Sequence, residues 1–411
     1  MNLPDPTRLL RRANGRLFVV LATVLLLVPV ASAGTTYKVL HSFGNGHDGG
    51  GVFDGVIFDT SGNLYGTTWG GGAYGYGTVF ALKHGSGGKW TETILHSFCS
   101  DFPHCTDGAL PEVGVTFDAA GNFYGSSNTA AFEMTSDPAV AVGWNFHVIF
   151  SPGSAATLIL DQAGNFYGPM GPGQYGKGAV TELSPGSNGW TETYLYSFCP
   201  NPLNHCLDGD APDTALTWDA KGNLYGGTLS GGKARLGVLF ELEHKAGGWA
   251  EHVLHNFPGY TGDGWNPHGP LIFDRQGSIY GTTSQGGTVG AGTVFKLTRG
   301  ANGLWKETIL SDFPDAFQNG GGPVAGVIFD RSGNLWGTTS GGGDPNCQCG
   351  VVFKLTPRAK GKWKYTVIHR FHYTDGFDPE AGLILDSKGN LYGTTANGGK
   401  YGGGVVFEIT P

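Results

Sequence analysis

Beyond residue 33 the 411-residue chain has no run of basic residues. It also lacks an apolar stretch of transmembrane length, a nucleophile elbow, a metal-binding helix motif and a phosphate loop. The missing basic runs argue against nucleic acid and anionic membranes as partners. Crossing a bilayer takes roughly 20 apolar residues, whereas residues 17–30 form a run of 14 interrupted by Thr23 and Pro29. Arg8, Arg11, Arg12 and Arg16 precede that run and Ala31-Ser32-Ala33 follows it. A positive start, a short apolar centre and a small-residue cleavage site predict a cleaved signal peptide over residues 1–33. No cysteine follows closely, which argues against a lipoprotein. Residues 1–33 carry four arginines and one aspartate, so the remainder has a formal charge of about −11, against −8 for the whole chain.

Glycine, by contrast, is abundant at 73 residues, and it is placed periodically. The segment Asp-x-x-Gly-Asn-Leu-Tyr-Gly, first met at residues 59–66, returns so that its turn glycine falls at Gly62, Gly121, Gly164, Gly222, Gly277, Gly333 and Gly389. A unit of this length cannot bury its own apolar face and must be covered by its neighbours. One unit reads as four short strands, at residues 55–58, 63–68, 77–82 and 90–98. The first two are joined by a turn in which the Asp side chain bonds back to the backbone and the glycine takes a positive φ. A side chain that every turn needs is a turn residue, and Asp59 and its six equivalents are read so. The tryptophans that open the fourth strand (Trp90, Trp144, Trp190, Trp249, Trp305, Trp363) are read as filling gaps between sheets.

The chain ends are complementary. Residues 37–43 form a fourth strand without the first three, and residues 405–410 a third strand without its fourth. Pairing them closes a circle and removes the open edge. The expectation is an all-β, seven-bladed β-propeller of four-stranded antiparallel blades, a single domain over residues 34–411 closed by the N-terminal strand.

Two segments, Asp330-Arg331-Ser332-Gly333-Asn334-Leu335-Trp336-Gly337-Thr338-Thr339 and Gly350-Val351-Val352-Phe353-Lys354-Leu355-Thr356-Pro357, resemble the GloVer (Gloeo/Verruco-type) tandem repeat of exported bacterial proteins. The likeness runs over residues 35–411. It implies an extracytoplasmic repeat protein and names no biochemical role.

Six cysteines fall in three close pairs, Cys99 with Cys105, Cys199 with Cys206, and Cys347 with Cys349. In an exported chain such pairs are expected to be disulfides. Zinc at the first two pairs would draw on His104 and His205, but three soft ligands per link are too few for a closed structural site.

Long and variable loops, the second-to-third and fourth-to-first connections, should gather on one face of the ring, where binding residues usually sit. Candidate ligand-binding residues there are Trp69, Tyr74, Tyr76, Asp107, Asp208, Asp263, Trp265 and Tyr401. The second unit has a shortened loop at residues 126–130 and a short link at 151–156, so a notch in the rim is expected, as drift of one repeat or as a groove. Asp-Gly pairs at Asp48, Asp107, Asp208, Asp263 and Asp375 read as turns, with calcium held by carboxylates and backbone oxygens as the alternative. No other cofactor and no metal centre is expected. His41, His96, His255 and His369 recur on the outermost strand and are read as repeat residues. The seven first strands carry no ionisable side chain, which argues against acid–base catalysis in the axial channel, and no catalytic residue is named. The expected function is non-enzymatic binding or scaffolding by an exported monomer, its partner an extracellular glycan or envelope protein. A carbohydrate-active enzyme, lyase or hydrolase, with its site on the loop face is the alternative.

Overall fold

The computed structural model describes residues 34–151, 157–187, 189–201, 203, 205–313 and 315–411. The expected signal peptide lies outside these residues, as does most of the 151–156 link that was expected to deepen the notch. Seven antiparallel sheets follow one another along the chain, six with their strands in sequence order and the seventh completed by the first described strand. Blade 1 consists of Ile57–Phe58, Leu64–Thr68, Thr78–His84 and Trp90–Ser97. Blades 2 to 6 repeat this plan, and blade 4 adds a short strand, Asp210–Pro212, alongside its second strand. Among the described residues the one α-helical segment is the four-residue Ala316–Asn319.

Each turn between first and second strands is held by its aspartate. In blade 1, Asp59 Oδ1 accepts the amides of Ser61 and Asn63 at 2.8 Å, and Oδ2 accepts the Asn63 side-chain amide at 2.7 Å and the Tyr65 hydroxyl at 3.3 Å. Gly62 sits at φ +83°, where a glycine has no steric penalty. The same carboxylate pattern recurs at Asp118, Asp161, Asp219, Asp274, Asp330 and Asp386. These seven acids are consumed by their own turns.

The core lies between blades rather than within any one of them. Seven apolar clusters occupy the seven seams, each combining two neighbouring blades. At the seam of blades 1 and 2, Trp144 packs edge-on to Tyr65 and Phe123, which fulfils the gap-filling role expected of the strand-opening tryptophans. The cluster joining Tyr392 and Val406 of blade 7 to Leu64 and Phe80 of blade 1 closes the circle. A repeat with apolar residues on both faces of its sheet can bury them only in this way.

Closure follows the complementary ends. Thr36–Ser42 pairs antiparallel with Val405–Thr410, from Thr36 opposite Thr410 to Ser42 opposite Val405. It becomes the outer strand of blade 7, whose other strands are Ile384–Leu385, Leu391–Thr395 and Val405–Thr410. All three expected disulfides are present: Cys99–Cys105, Cys199–Cys206 and Cys347–Cys349.

Candidate functional site: an acidic funnel at the axial mouth

The second-to-third and fourth-to-first loops do share one face. They bridge each other directly, Gly50 to Gly70, Gly321 to Gly341 and Phe377 to Asn397. Where these loops meet the axis they surround a cavity of about 630 Å³. Its ionisable lining is Asp54, Glu112, Asp213, His268 and Glu380.

Local sequence explains how those side chains reach the axis. Four of the five directly follow a loop proline, in Pro111-Glu112, Pro212-Asp213, Pro267-His268 and Pro379-Glu380. The proline ring seats on a glycine that precedes the third strand of the preceding blade. At Gly350 (φ +92°), a Cβ would stand 2.6 Å from Pro379 Cδ, so only glycine admits the ring. Gly77, Gly178 and Gly237 receive Pro111, Pro212 and Pro267 in the same way. Beyond the proline, the chain is stitched by the first threonine of the Gly-Thr-Thr motif. Thr67, Thr282, Thr338 and Thr394 donate to the carbonyls of Val113, Ala325, Ala381 and Asp54 in the next blade, at 2.7–3.1 Å. Of the ionisable lining, Glu112 and Glu380 stand between the proline and such an anchored carbonyl, which aims them at the axis; at Asp213 and His268 the seated proline alone is shared.

The charges differ in how they are satisfied. Asp54 Oδ1 accepts the Gly55 amide, and Oδ2 accepts the amide of Gly114 at 2.6 Å and the hydroxyl of Thr157 at 3.3 Å. Asp54 therefore ties the inner edges of blades 1, 2 and 3. Burial, with Asp378 and Glu112 nearby, pushes the Glu380 carboxyl up to about 7. Burial holds the His268 imidazole below its ordinary range, against the opposing pull of Asp213, whose Oδ2 is 3.5 Å from Nδ1. The funnel is rich in acceptors, and among the described residues no lysine or arginine lines it.

Of the residues expected from sequence, Trp69 lines this funnel, 40% exposed and edge-to-face with Phe53 at 6.3 Å. Tyr74 and Tyr401 are exposed on the outer loops, with the Lys400 ammonium 4.8 Å from the Tyr401 ring. Tyr76 stacks on Phe102. Trp265 donates to Gln285 at 2.8 Å. Asp107, Asp208 and Asp263 lie instead at blade seams. Asp107 accepts the Cys99 amide, Asp208 the Cys199 amide and the Tyr196 hydroxyl, and Asp263 the Gly264 amide. The structure does not bring these eight residues together.

The acids of the funnel lie outside the first strands, which carry no charge, and so are not among the residues expected from sequence. The readable signal is the position after the loop proline, which varies as Glu, Asp, His, Val and Glu while the proline before it recurs.

The profile of the Gloeobacter/Verrucomicrobia repeat matches residues 126–316 and again 303–411. The chain belongs to the Gloeobacter/Verrucomicrobia repeat family. Blade 1 precedes the matched region, yet it carries the same turn and the same seam residues as this family's repeats. No curated protein matches the chain. Among solved structures it is similar to two extracellular domains from B. thetaiotaomicron, one assigned to a hybrid two-component system and one to a one-component system. The TM-scores are 0.54 and 0.55, with 11% identity in both cases and 92% of this chain covered. The chain spans only 41% and 42% of those proteins' lengths. It is also similar to the polysaccharide lyase Uly1, with a TM-score of 0.52, 10% identity, and 90% of this chain and 92% of that chain covered. At such identity the likeness establishes the propeller fold alone.

Proposed function

We propose that this family member is an exported, non-enzymatic binding propeller whose axial funnel takes the end of a neutral or amine-bearing glycan. The observation that carries this reading is the convergence of Glu112, Asp213 and Glu380 beside Trp69. Carboxylates accept from sugar hydroxyls and ammonium groups, and an exposed indole offers an apolar face for a sugar ring. An anionic sugar would meet acids without a cation among the described lining residues. Three disulfides suit an oxidising compartment outside the cytoplasm. Among the described residues no helix is long and apolar enough to cross a membrane.

The test is a glycan array grouped by charge, followed by calorimetry on the best hits. Neutral or amino sugars should bind, and Trp69→Ala or the pair Glu112→Gln with Glu380→Gln should weaken binding at least tenfold. An empty array, or a preference for uronates and sulfated glycans, would overturn the reading. One observation favours a carbohydrate-active enzyme at the same funnel. Glu380, held near 7, would offer a proton at neutral pH beside Glu112. New reducing or unsaturated ends released from the bound glycans would decide for it.

A further inference from the structure

The outermost strands carry a second set of ionisable groups, at the seams and away from the funnel. At five seams, a His or Tyr two residues before the strand-ending Phe meets the link aspartate. The third member comes from the next blade, two residues after its opening Trp or, in blade 7, from Tyr37. At the blade 1–2 seam the members are His96, Asp107 and Phe146. His96 pairs with Asp107 at 3.2 Å and stacks on Phe146 with centroids 3.7 Å apart. At the blade 6–7 seam His369 pairs with Asp375 at 3.2 Å and stacks on Tyr37 at 3.8 Å. In both seams the aromatic ring covers the imidazole face and a single carboxylate lies beside its Nε2.

Three seams replace the stacking ring with a second carboxylate. Between blades 3 and 4 the members are Tyr196, Asp208 and Glu251, and the Tyr196 hydroxyl donates to Asp208 at 2.8 Å, so no imidazole is present. The other two keep the imidazole: His255, Asp263 and Glu307 between blades 4 and 5, and His41, Asp48 and Glu92 between blades 7 and 1. In each of these two sets the ligand-capable atoms all lie within 4.8 Å of one another. His255 Nε2 is 3.4 Å from Glu307 Oε2, and His41 Nε2 is 3.5 Å from Asp48 Oδ2 and 3.8 Å from Glu92 Oε2. Glu307 and Glu92 side chains are only 11% and 12% exposed. Their Oε1 atoms, with His255 Nε2 and His41 Nε2, are shielded from solvent and have no hydrogen-bond partner. Backbone amides engage one oxygen of each aspartate, Gly264 on Asp263 Oδ1 and Gly44 on Asp48 Oδ1. Among the described residues no lysine or arginine pairs with any of the six.

Two buried carboxylates facing an imidazole, without a lysine or arginine, are unfavourable as charges and are relieved by a proton or by a bound cation between them. Zinc bonds nitrogen and carboxylate oxygen at about 2.0–2.2 Å, which places neighbouring ligands of a tetrahedral site about 3.4 Å apart. Three imidazole–carboxylate separations, 3.4, 3.5 and 3.8 Å, are near that size, and the remaining ligand atoms lie within 4.8 Å. Calcium wants six to eight oxygens and gains little from an imidazole nitrogen. We propose that the two triads, His255–Asp263–Glu307 and His41–Asp48–Glu92, are paired divalent transition-metal sites of the zinc type. Each takes an imidazole nitrogen and two carboxylate oxygens from the protein and leaves the fourth position to water. Each draws His and Asp from one blade and its link, and Glu from the next blade, so the ion clamps a seam. This departs from the sequence-based expectation of no metal centre, or of calcium on loop oxygens.

The experiment uses the full chain, stripped with a chelator and titrated with Zn²⁺ by calorimetry, with thermal unfolding in parallel. Two equivalents should bind, and the melting temperature should rise with added Zn²⁺. Glu307→Phe and Glu92→Phe each install the aromatic already present at the blade 1–2 seam, so they retain a packing solution. Each should abolish one equivalent while leaving the melting temperature in chelator unchanged or higher. The double variant should bind at least 100-fold more weakly. His255→Gln, which keeps the volume, should also lose one equivalent. Absence of saturable binding, unchanged stoichiometry in the double variant, or displacement of Zn²⁺ by equimolar Ca²⁺ would overturn the assignment.

Discussion

Replacing Tyr37 by alanine tests ring closure at a single side chain. Tyr37 stands on the strand that completes blade 7, stacked on His369 with an interplanar angle of 2° and in edge or tilted contact with Phe371 and Phe407. Its hydroxyl donates to the Asp375 carbonyl at 2.6 Å. Truncating a core aromatic to alanine costs about 3–5 kcal/mol, and the half-buried setting of Tyr37 puts the expectation near ~3 kcal/mol. Tyr37→Phe keeps the stacking and removes one hydrogen bond, worth about 1 kcal/mol. Unfolding entropy of about 2 cal/mol/K per residue over the ~380 ordered residues converts ~3 kcal/mol into about 4 °C of melting temperature. Val39→Ala, on the same strand but 36% exposed, is the control and should cost under about 0.5 kcal/mol. Urea unfolding followed by tryptophan fluorescence reads all three. If Tyr37→Ala unfolds within about 0.5 kcal/mol of Tyr37→Phe, the N-terminal strand does not carry the closure.

Removing residues 34–43 outright should lower the melting temperature further and cause aggregation through the bared Val405–Thr410 edge, whereas an equal excision within 101–111 should be milder; light scattering during a thermal ramp compares the two. Gly66→Ala should cost about 1–3 kcal/mol, since a Cβ would stand 2.8 Å from Phe80 Cζ, while Gly62→Ala, with open space but φ +83°, should cost about 1 kcal/mol by chemical denaturation. Burial and then Asp208 push the Glu251 carboxyl up to about 8 from an unfolded value of 4.5. Its folded form is thus protonated over a range where the unfolded chain is ionised, and stability must fall as pH rises from about 4.5 to 8. Solvent access reduces this effect to about 1–2 kcal/mol. Glu251→Gln should flatten the pH slope by that amount in urea melts at pH 5 and pH 8.5, and an unchanged slope would refute it.

Periodicity carried most of the fold into view. The Asp-x-x-Gly turn is a local interaction, complete within the seven residues from Asp59 to Tyr65, so its seven copies were readable one by one. Closure was readable for a different reason: the ends are fractions of the same unit, and their sum is one blade. The disulfides followed from close cysteine pairs. The funnel escaped because its geometry is made by contacts between units, the seat of Pro379 on Gly350 and the bond from Thr338 to Ala381. Those contacts turn the residue between them toward the axis, and no pattern within one unit says so. Asp107 and Asp208 were placed on the binding rim for the converse reason. Their carboxylates are taken by the amides of Cys99 and Cys199, which become partners only after the links fold back.

Pairing Thr36 with Thr410 joins the first described strand to the last. A chain emerging in order, during synthesis or through a secretion channel, makes its first strand early and must hold it unpaired until the final strand arrives. Six blades can assemble progressively, but the seventh cannot exist in any C-terminally shortened product. Premature termination or a nick near the end would leave two complementary edges open at once. Loss of Val405–Thr410 therefore acts on the whole ring, because it bares the edges of both Thr36–Ser42 and Leu391–Thr395 and leaves backbone free to pair with other chains.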